Sequence, residues 1–223
     1  SFMRRKETAL TRQVNELVNY FELVGVERPV IDGKSLLYIR HPLIDFWFRY
    51  FYRNLSSYKR REAWLIEKVR AGINAFVGQR FEAVCREILI ENPPFSFDRV
   101  GRQWGKFRGE RGKNVYEIDI VALNEKTGEI LFGECKWEEK VDVERVLGEL
   151  REKARHVNWH NEKRTELYAI FAKSFEKKIK QPGLLLFDLE DMGRLLRHRK
   201  ASQKTSKRGK VGPVGFEPTI CSV

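Results

Sequence analysis

Cysteine is scarce in this 223-residue chain, and its three cysteines, Cys85, Cys135 and Cys221, stand far apart without a CxxC pair. Neither a zinc ribbon nor a dithiol redox centre is written into such spacing, and reduced, mostly inert thiols are expected. Long apolar runs are missing too: none approaches the roughly 20 residues of a bilayer span. The start, Ser1-Phe2-Met3-Arg4-Arg5-Lys6, leads into no apolar stretch of signal-peptide length. The expectation is a cytoplasmic protein that does not enter a membrane. No GxxxxGK(S/T) occurs, so no ATP site is expected in this chain. HExxH and the GxSxG elbow are also missing, and Ser57, Ser96 and Ser174 have no His partner in the sequence, which argues against a zinc protease and a serine hydrolase. His156 and His160 are four apart on an expected helix, but no third metal ligand lies nearby.

Positive charge is what the chain has in excess. Lys plus Arg number 43 against 31 Asp plus Glu, a formal charge of +12. An acidic partner follows, and nucleic acid is favoured over a membrane surface. With 42% apolar and 12% aromatic residues, most of the chain has the composition of a folded globular protein. The tail is the exception. Arg197, Arg199, Lys200, Lys204, Lys207, Arg208 and Lys210 follow one another with no acid between Asp191 and Glu217, and a disordered basic arm is expected over 198–223. Val211 to Thr219 can also be encoded by the complement of a tRNA T-loop arm, the expectation for a reading frame that runs into a tRNA gene on the opposite strand.

Leu10, Val14, Leu17, Val18, Phe21 and Val24 recur at helical spacing, predicting a helix over 8–24 that ends at Gly25. A turn at Gly33-Lys34-Ser35 and a short strand, Leu36 to Ile39, follow, in the manner of a winged helix. Leu43 to Tyr52 is aromatic on nearly every side and predicts a buried helix. Further helices are predicted at 58–71 and 75–91, the second stopped by Pro93-Pro94. The period then changes to that of strands at Phe97–Trp104, Val115–Leu123, Ile130–Trp137, Leu167–Ala172 and Leu184–Phe187, with helices at 141–156 and 188–197. The architecture expected is α/β: a helical, winged-helix-like region over 1–73, then a mixed four- or five-stranded sheet flanked by helices over 74–197.

Chemistry concentrates in one hairpin. Tyr116-Glu117-Ile118-Asp119-Ile120-Val121 leads through the turn Glu125-Lys126-Thr127-Gly128 into Phe132-Gly133-Glu134-Cys135-Lys136-Trp137. Side chains alternate along a strand, so Glu134 and Lys136 share a face and Cys135 takes the other. A bent hairpin can bring Asp119 and Glu134 together beside Lys136. Carboxylate oxygens suit Mg²⁺ or Mn²⁺, which neutralise a phosphate and acidify a water, while a lysine orients that water or stabilises transition-state charge. The competing interpretation is an amphipathic hairpin whose Glu117, Asp119, Glu134 and Lys136 merely face solvent. Against it, the apolar neighbours of Asp119 and Glu134 look buried on both sides, where an isolated carboxylate is costly.

This pattern resembles the PD-(D/E)xK nuclease superfamily, in which an Asp is followed at a similar interval by Glu-x-Lys. Asp119, Glu134 and Lys136 match those positions, and Glu82 in Gln79-Arg80-Phe81-Glu82 matches the Glu that members often carry on the helix before the sheet. The resemblance implies a restriction-endonuclease-like fold. Asp119 and Glu134 would be the metal ligands, with the backbone carbonyl of Cys135 as a third; Lys136 would be the water-orienting or charge-stabilising group, and Glu82 an outer ligand or general base. Glu117 is the runner-up to Asp119. Tyr38 to Phe51, Phe81-Glu82, Val100 to Gly105 and the hairpin together also resemble the C-terminal region of a family of archaeal AAA-type ATPases, over about 10–196. That likeness implies a chain lacking the ATPase module.

Two functions compete at this stage. One is a Mg²⁺- or Mn²⁺-dependent nuclease acting on DNA; the other is a catalytically inactive domain that binds DNA or docks a protein partner such as an ATPase module. In either case Arg102, Lys106 and Arg108, interleaved with Trp104 and Phe107, and Arg197, Arg199 and Lys200 at the start of the tail are the expected phosphate contacts.

Overall fold

A computed structural model describes residues 7–109 and 112–197; Arg199, Lys200, Cys221 and the expected basic tail lie outside the described residues. The chain begins with α1 (Glu7–Asn15), whose last turn widens over Glu16–Tyr20. Helix was predicted through residue 24 with Gly25 as terminator, but the turn is broken earlier by Glu22, at a φ of 51°. Val24, at helical spacing in the sequence, instead opens a strand, β1 (Val24–Glu27), paired antiparallel with β2 (Leu36–Ile39). The short strand expected at Leu36–Ile39 is present, and it pairs with a second one to make a small hairpin.

Pro42, which has no N–H to leave unpaired, sits in the first turn of α2 (Pro42–Tyr50). A short α3 (Leu55–Lys59) separates it from α4 (Ala63–Glu91). The two helices predicted at 58–71 and 75–91 are thus largely one, because Gly72 is not a break. It is the point where α2 approaches: a Cβ at Gly72 would collide with the Tyr50 hydroxyl. Phe46 meets Phe76 edge-on at 5.3 Å, and Arg80 of α4 pairs with Asp45 of α2. Burial of α2 is one-sided, contrary to the all-round burial its composition predicted. Tyr50 is buried, whereas Leu43, Trp47 and Phe48 are exposed.

Five strands follow in the order β3–β4–β5–β6–β7: β3 (Arg99–Gly109), β4 (Gly112–Asn124), β5 (Glu129–Lys136), β6 (Thr165–Ala172) and β7 (Leu184–Phe187). The first three pair antiparallel, and β5–β6 and β6–β7 pair parallel. Parallel neighbours need a long crossover, which α5 (Val143–Arg155) supplies between β5 and β6. A last helix, α6, occupies 189–197. The sheet is buried on both faces. Val146, Leu147 and Leu150 of α5 pack on Ile118, Val121, Ile130, Phe132 and Ile170. On the other face, Phe81, Cys85, Ile88 and Leu89 of α4, with Met192 of α6, pack on Ile120, Ala122, Leu131 and Phe171. The mixed five-stranded α/β sheet flanked by helices is as the sequence indicated.

The N-terminal region is stitched to β3 through its loop. The buried amide of Gln103 accepts from the Ile31 N–H at 2.9 Å and donates to the Asp32 carbonyl, while the Trp104 indole donates to the Lys34 carbonyl at 3.1 Å. Arg102 and Arg86 grip Glu27 of β1, each at 3.0 Å. These contacts close one side of a cleft of about 1070 Å³ that runs from β2 and α2 to α4 and ends at Glu82, Glu117 and Asp119.

Candidate active site

The position of Asp119 comes from a defect in strand pairing. Gly101 pairs with Val121 but Gln103 pairs with Ile118, so Arg102 alone stands opposite both Asp119 and Ile120. This is a β-bulge, two residues against one, and it sends Ile118 and Ile120 to opposite faces although they are two apart. On the other edge the β4–β5 ladder has its last pair at Ile120↔Gly133. The Cys135 N–H then donates to Oδ2 of Asp119 at 2.8 Å. Asp119 therefore stands where β4 leaves both of its regular pairings, and its carboxylate takes the place of a missing backbone acceptor.

Glu134 is almost completely buried, with 6% of its side chain exposed, and is satisfied by two ammonium groups. Lys136 Nζ lies 2.8 Å from Oε1, and Lys153 Nζ of α5 lies 2.8 Å from Oε1 and 2.7 Å from Oε2. Lys153 was not singled out from the sequence. Its only signal was a position three residues after the buried Leu150, at the rim of the apolar stripe of α5. Burial works against the charge on Lys136, but the hydrogen bond and charge of Glu134 outweigh it and raise its pKa above the ordinary lysine value.

Asp119 has no cation of its own at hydrogen-bond distance among the described residues. Burial first, and then the charge of Glu134, push its pKa up to about 6, against the hydrogen bond from Cys135 and the fields of Lys153 and Lys136. Glu82 on α4 is raised to about 7, again by burial and then by Asp119, with Arg102 opposing. Asp119 and Glu82 are thus two partly buried carboxyls, each raised by desolvation and by a neighbouring carboxylate's charge, the kind of perturbation that functional sites concentrate. The Cys135 thiol is held well above the usual thiol range by burial and by the Cys85 thiol beside it, which disfavours the thiolate.

The donors present fit a hard divalent cation. Mg²⁺ is commonly held by one or two carboxylates and completes its shell with water or phosphate oxygens. Asp119, Glu134 and the carbonyl of Cys135 are oxygen donors of that kind. Among the described residues no three or more His, Cys, Asp or Glu side chains converge to hold a metal. His156 and His160 do not share a helix as expected. α5 ends at Arg155, His156 stacks on Phe107 at 3.8 Å, and His160 sits in a turn with φ 44°, 3.6 Å from Glu125.

The expected phosphate contacts divide. Arg102 is half-buried and committed to Glu27, Glu82 and Glu117, which makes it a clamp between the N-terminal hairpin, α4 and β4. Glu117, the alternative to Asp119, is absorbed in that clamp. Lys106, Arg108 and Arg197 are exposed. No helix among the described residues is long and apolar enough to cross a membrane.

Residues 47–146 match the DUF234 family profile, described as archaeal and bacterial proteins of unknown function. That span contains Glu82, Asp119, Glu134 and Lys136 but stops short of Lys153. No solved structure matches the chain. Over 202 residues it is 33% identical to an uncharacterized protein of Methanocaldococcus jannaschii, an alignment covering 86% of this chain and 43% of that relative, so the chain spans less than half the length of the protein it matches.

Proposed function

We propose that this chain is a divalent-cation-dependent nuclease domain of restriction-endonuclease-like architecture that hydrolyses phosphodiester bonds in DNA. The observation that carries the reading is the convergence at one point of the sheet: the bulge presents Asp119 where β4 parts from β5, and the next residues of β5 are Glu134, Cys135 and Lys136. The element order from α4 through β3, β4, β5 and α5 to β6 supports it, since it sets a helix with Glu82 before the sheet and a crossover helix after the hairpin. A bound Mg²⁺ or Mn²⁺ would neutralise phosphate charge and lower the pKa of a water. Asp119, Glu134 and the Cys135 carbonyl would hold it. Lys136, kept protonated, supplies fixed positive charge for the phosphorane-like transition state and is not a base. Glu82, titrating near neutrality inside the cleft, has the pKa of a group able to accept a proton from water. Exposed Lys106, Arg108 and Arg197 support a footing on phosphates with little sequence preference.

A second reading, an inactive domain that binds DNA or docks a partner, draws on the outer face of α2, where Leu43 is 69% and Phe48 42% exposed. Incubation of supercoiled, linear, single-stranded and branched DNA with Mg²⁺ or Mn²⁺ separates the two. The wild type cuts at least one form, EDTA stops it, and Asp119→Asn is slower by about 100-fold or more, the loss expected when a ligand of a metal ion that stabilises transition-state charge is removed. Equal rates for wild type and Asp119→Asn would refute the assignment, and a wild type that cuts none of the four forms leaves the second reading.

A further inference from the structure

We propose that Lys153 is a built-in counter-cation of this site, which a divalent ion must displace from Glu134. The inference rests on the nuclease reading and adds a component to it. Both oxygens of Glu134 are engaged by the single ammonium of Lys153, at 2.8 and 2.7 Å, whereas Lys136 touches Oε1 alone. A carboxylate that accepts from one cation through both oxygens offers the same pair of atoms it would offer to a metal ion. Lys153 thus stands on the very donors that the metal site needs. With so little of Glu134 exposed, water cannot substitute for the lysines as its counter-charge.

Lys153 is also the member of the pair better placed to leave. It belongs to a different element from Glu134 and Asp119, on a flexible four-carbon stem with 30% of the side chain exposed, while Lys136 is two residues from Glu134 on the same strand and 24% exposed. Its helix does not need to move. α5 is pinned by buried Leu150 and Ala154 on either side of Lys153, and by Asp142, which accepts from the Glu144 and Arg145 N–H groups at 3.0 and 3.2 Å. The ammonium can therefore swing off Glu134 and remain at the site. Two consequences follow. The ion competes with a tethered charge, which weakens its binding, and the displaced ammonium stays near enough to lend positive charge to a phosphate.

The test is calorimetric titration of Mn²⁺ into the wild type, Lys153→Met and Lys153→Arg, with cleavage rates at saturating Mn²⁺. Methionine keeps most of the stem and removes the charge. One unit charge removed within a few ångströms of an almost completely buried carboxylate should tighten Mn²⁺ binding by about tenfold or more. The same variant should cut more slowly at saturation, an uncommon pairing of tighter binding with slower turnover. Lys153→Arg, which keeps the charge, should bind as the wild type does. Unchanged or weaker Mn²⁺ binding by Lys153→Met would overturn the role of Lys153 while leaving the metal site intact, as would Lys153→Arg binding as tightly as Lys153→Met. No Mn²⁺ binding by any of the three would overturn this role together with the nuclease reading.

Discussion

Replacing Glu134 by alanine should destabilise the protein by about 3 to 5 kcal/mol, because it leaves two partly buried lysines without the carboxylate that holds them. Replacing Asp119 by asparagine, only one strand away, should do the opposite. The two carboxylates differ in their partners. Glu134 has two cations, whereas Asp119 has a backbone N–H, which asparagine can still satisfy, and the neighbouring charge of Glu134. Its pKa in the folded protein, about 6, lies above the ordinary aspartate value of 3.8. A carboxyl raised in this way favours the fold when protonated, and that contribution is lost as pH rises from about 4 through 6. At pH 8 the wild type bears the full cost of a poorly compensated charge, of order 2 to 3 kcal/mol, and asparagine removes it. With EDTA present, melting of Asp119→Asn should come roughly 4 to 12 °C above wild type at pH 8, since 1 kcal/mol is about 2 to 4 °C at this chain length. The gap should close toward pH 4. A lower melting temperature for Asp119→Asn at pH 8 would show that its charge is compensated after all.

On the proposed nuclease reading, Lys136→Ala should slow DNA cleavage by roughly 10² to 10³-fold, the usual loss when a fixed donor or charge aimed at a developing oxyanion is removed. Mn²⁺ binding should survive, because the substitution leaves the proposed ligands, Asp119, Glu134 and the Cys135 carbonyl, in place. Lysine and arginine are not equivalent here. A guanidinium at this position would carry a planar fork into a space shared with Lys153, so Lys136→Arg should recover only part of the rate. Single-turnover cleavage at saturating Mn²⁺ distinguishes this from a binding defect. A variant that regains the wild-type rate once Mn²⁺ is raised would move Lys136 from charge stabilisation to metal affinity.

The hairpin was legible because its residues obey a strand's two-residue period over two long apolar runs, and because Asp119, Glu134 and Lys136 interrupt those runs with charge. What decides the site was not legible. The bulge at Asp119–Ile120 leaves no mark in the alternation of Tyr116, Ile118 and Ile120, and only the partner strand, with Arg102 as its single opposed residue, reveals it. Lys153 looks like any charged residue on an amphipathic helix. β3 runs five residues past its expected end at Trp104, because Lys106 and Arg108 alternate with Gly105 and Phe107 on an exposed ribbon that has little apolar pattern to read. The gap expected over 72–74 and the helical reading of Val24 failed for a related reason. Gly72, inside that gap, is small to admit Tyr50, and Val24 is apolar to pair in a strand; both are tertiary requirements that helical periodicity does not contain.

Titration of Mn²⁺ into the full chain, followed by calorimetry or by the loss of the free Mn²⁺ electron-spin signal, tests without depending on turnover the proposal that Asp119 and Glu134 hold one divalent cation. The wild type should bind one Mn²⁺ per chain, with Mg²⁺ competing for the same place, and Asp119→Asn should lose most of that affinity while remaining folded. A wild type that binds no Mn²⁺, or an Asp119→Asn variant that binds it as tightly as the wild type, would rule out a cation site at Asp119 and Glu134.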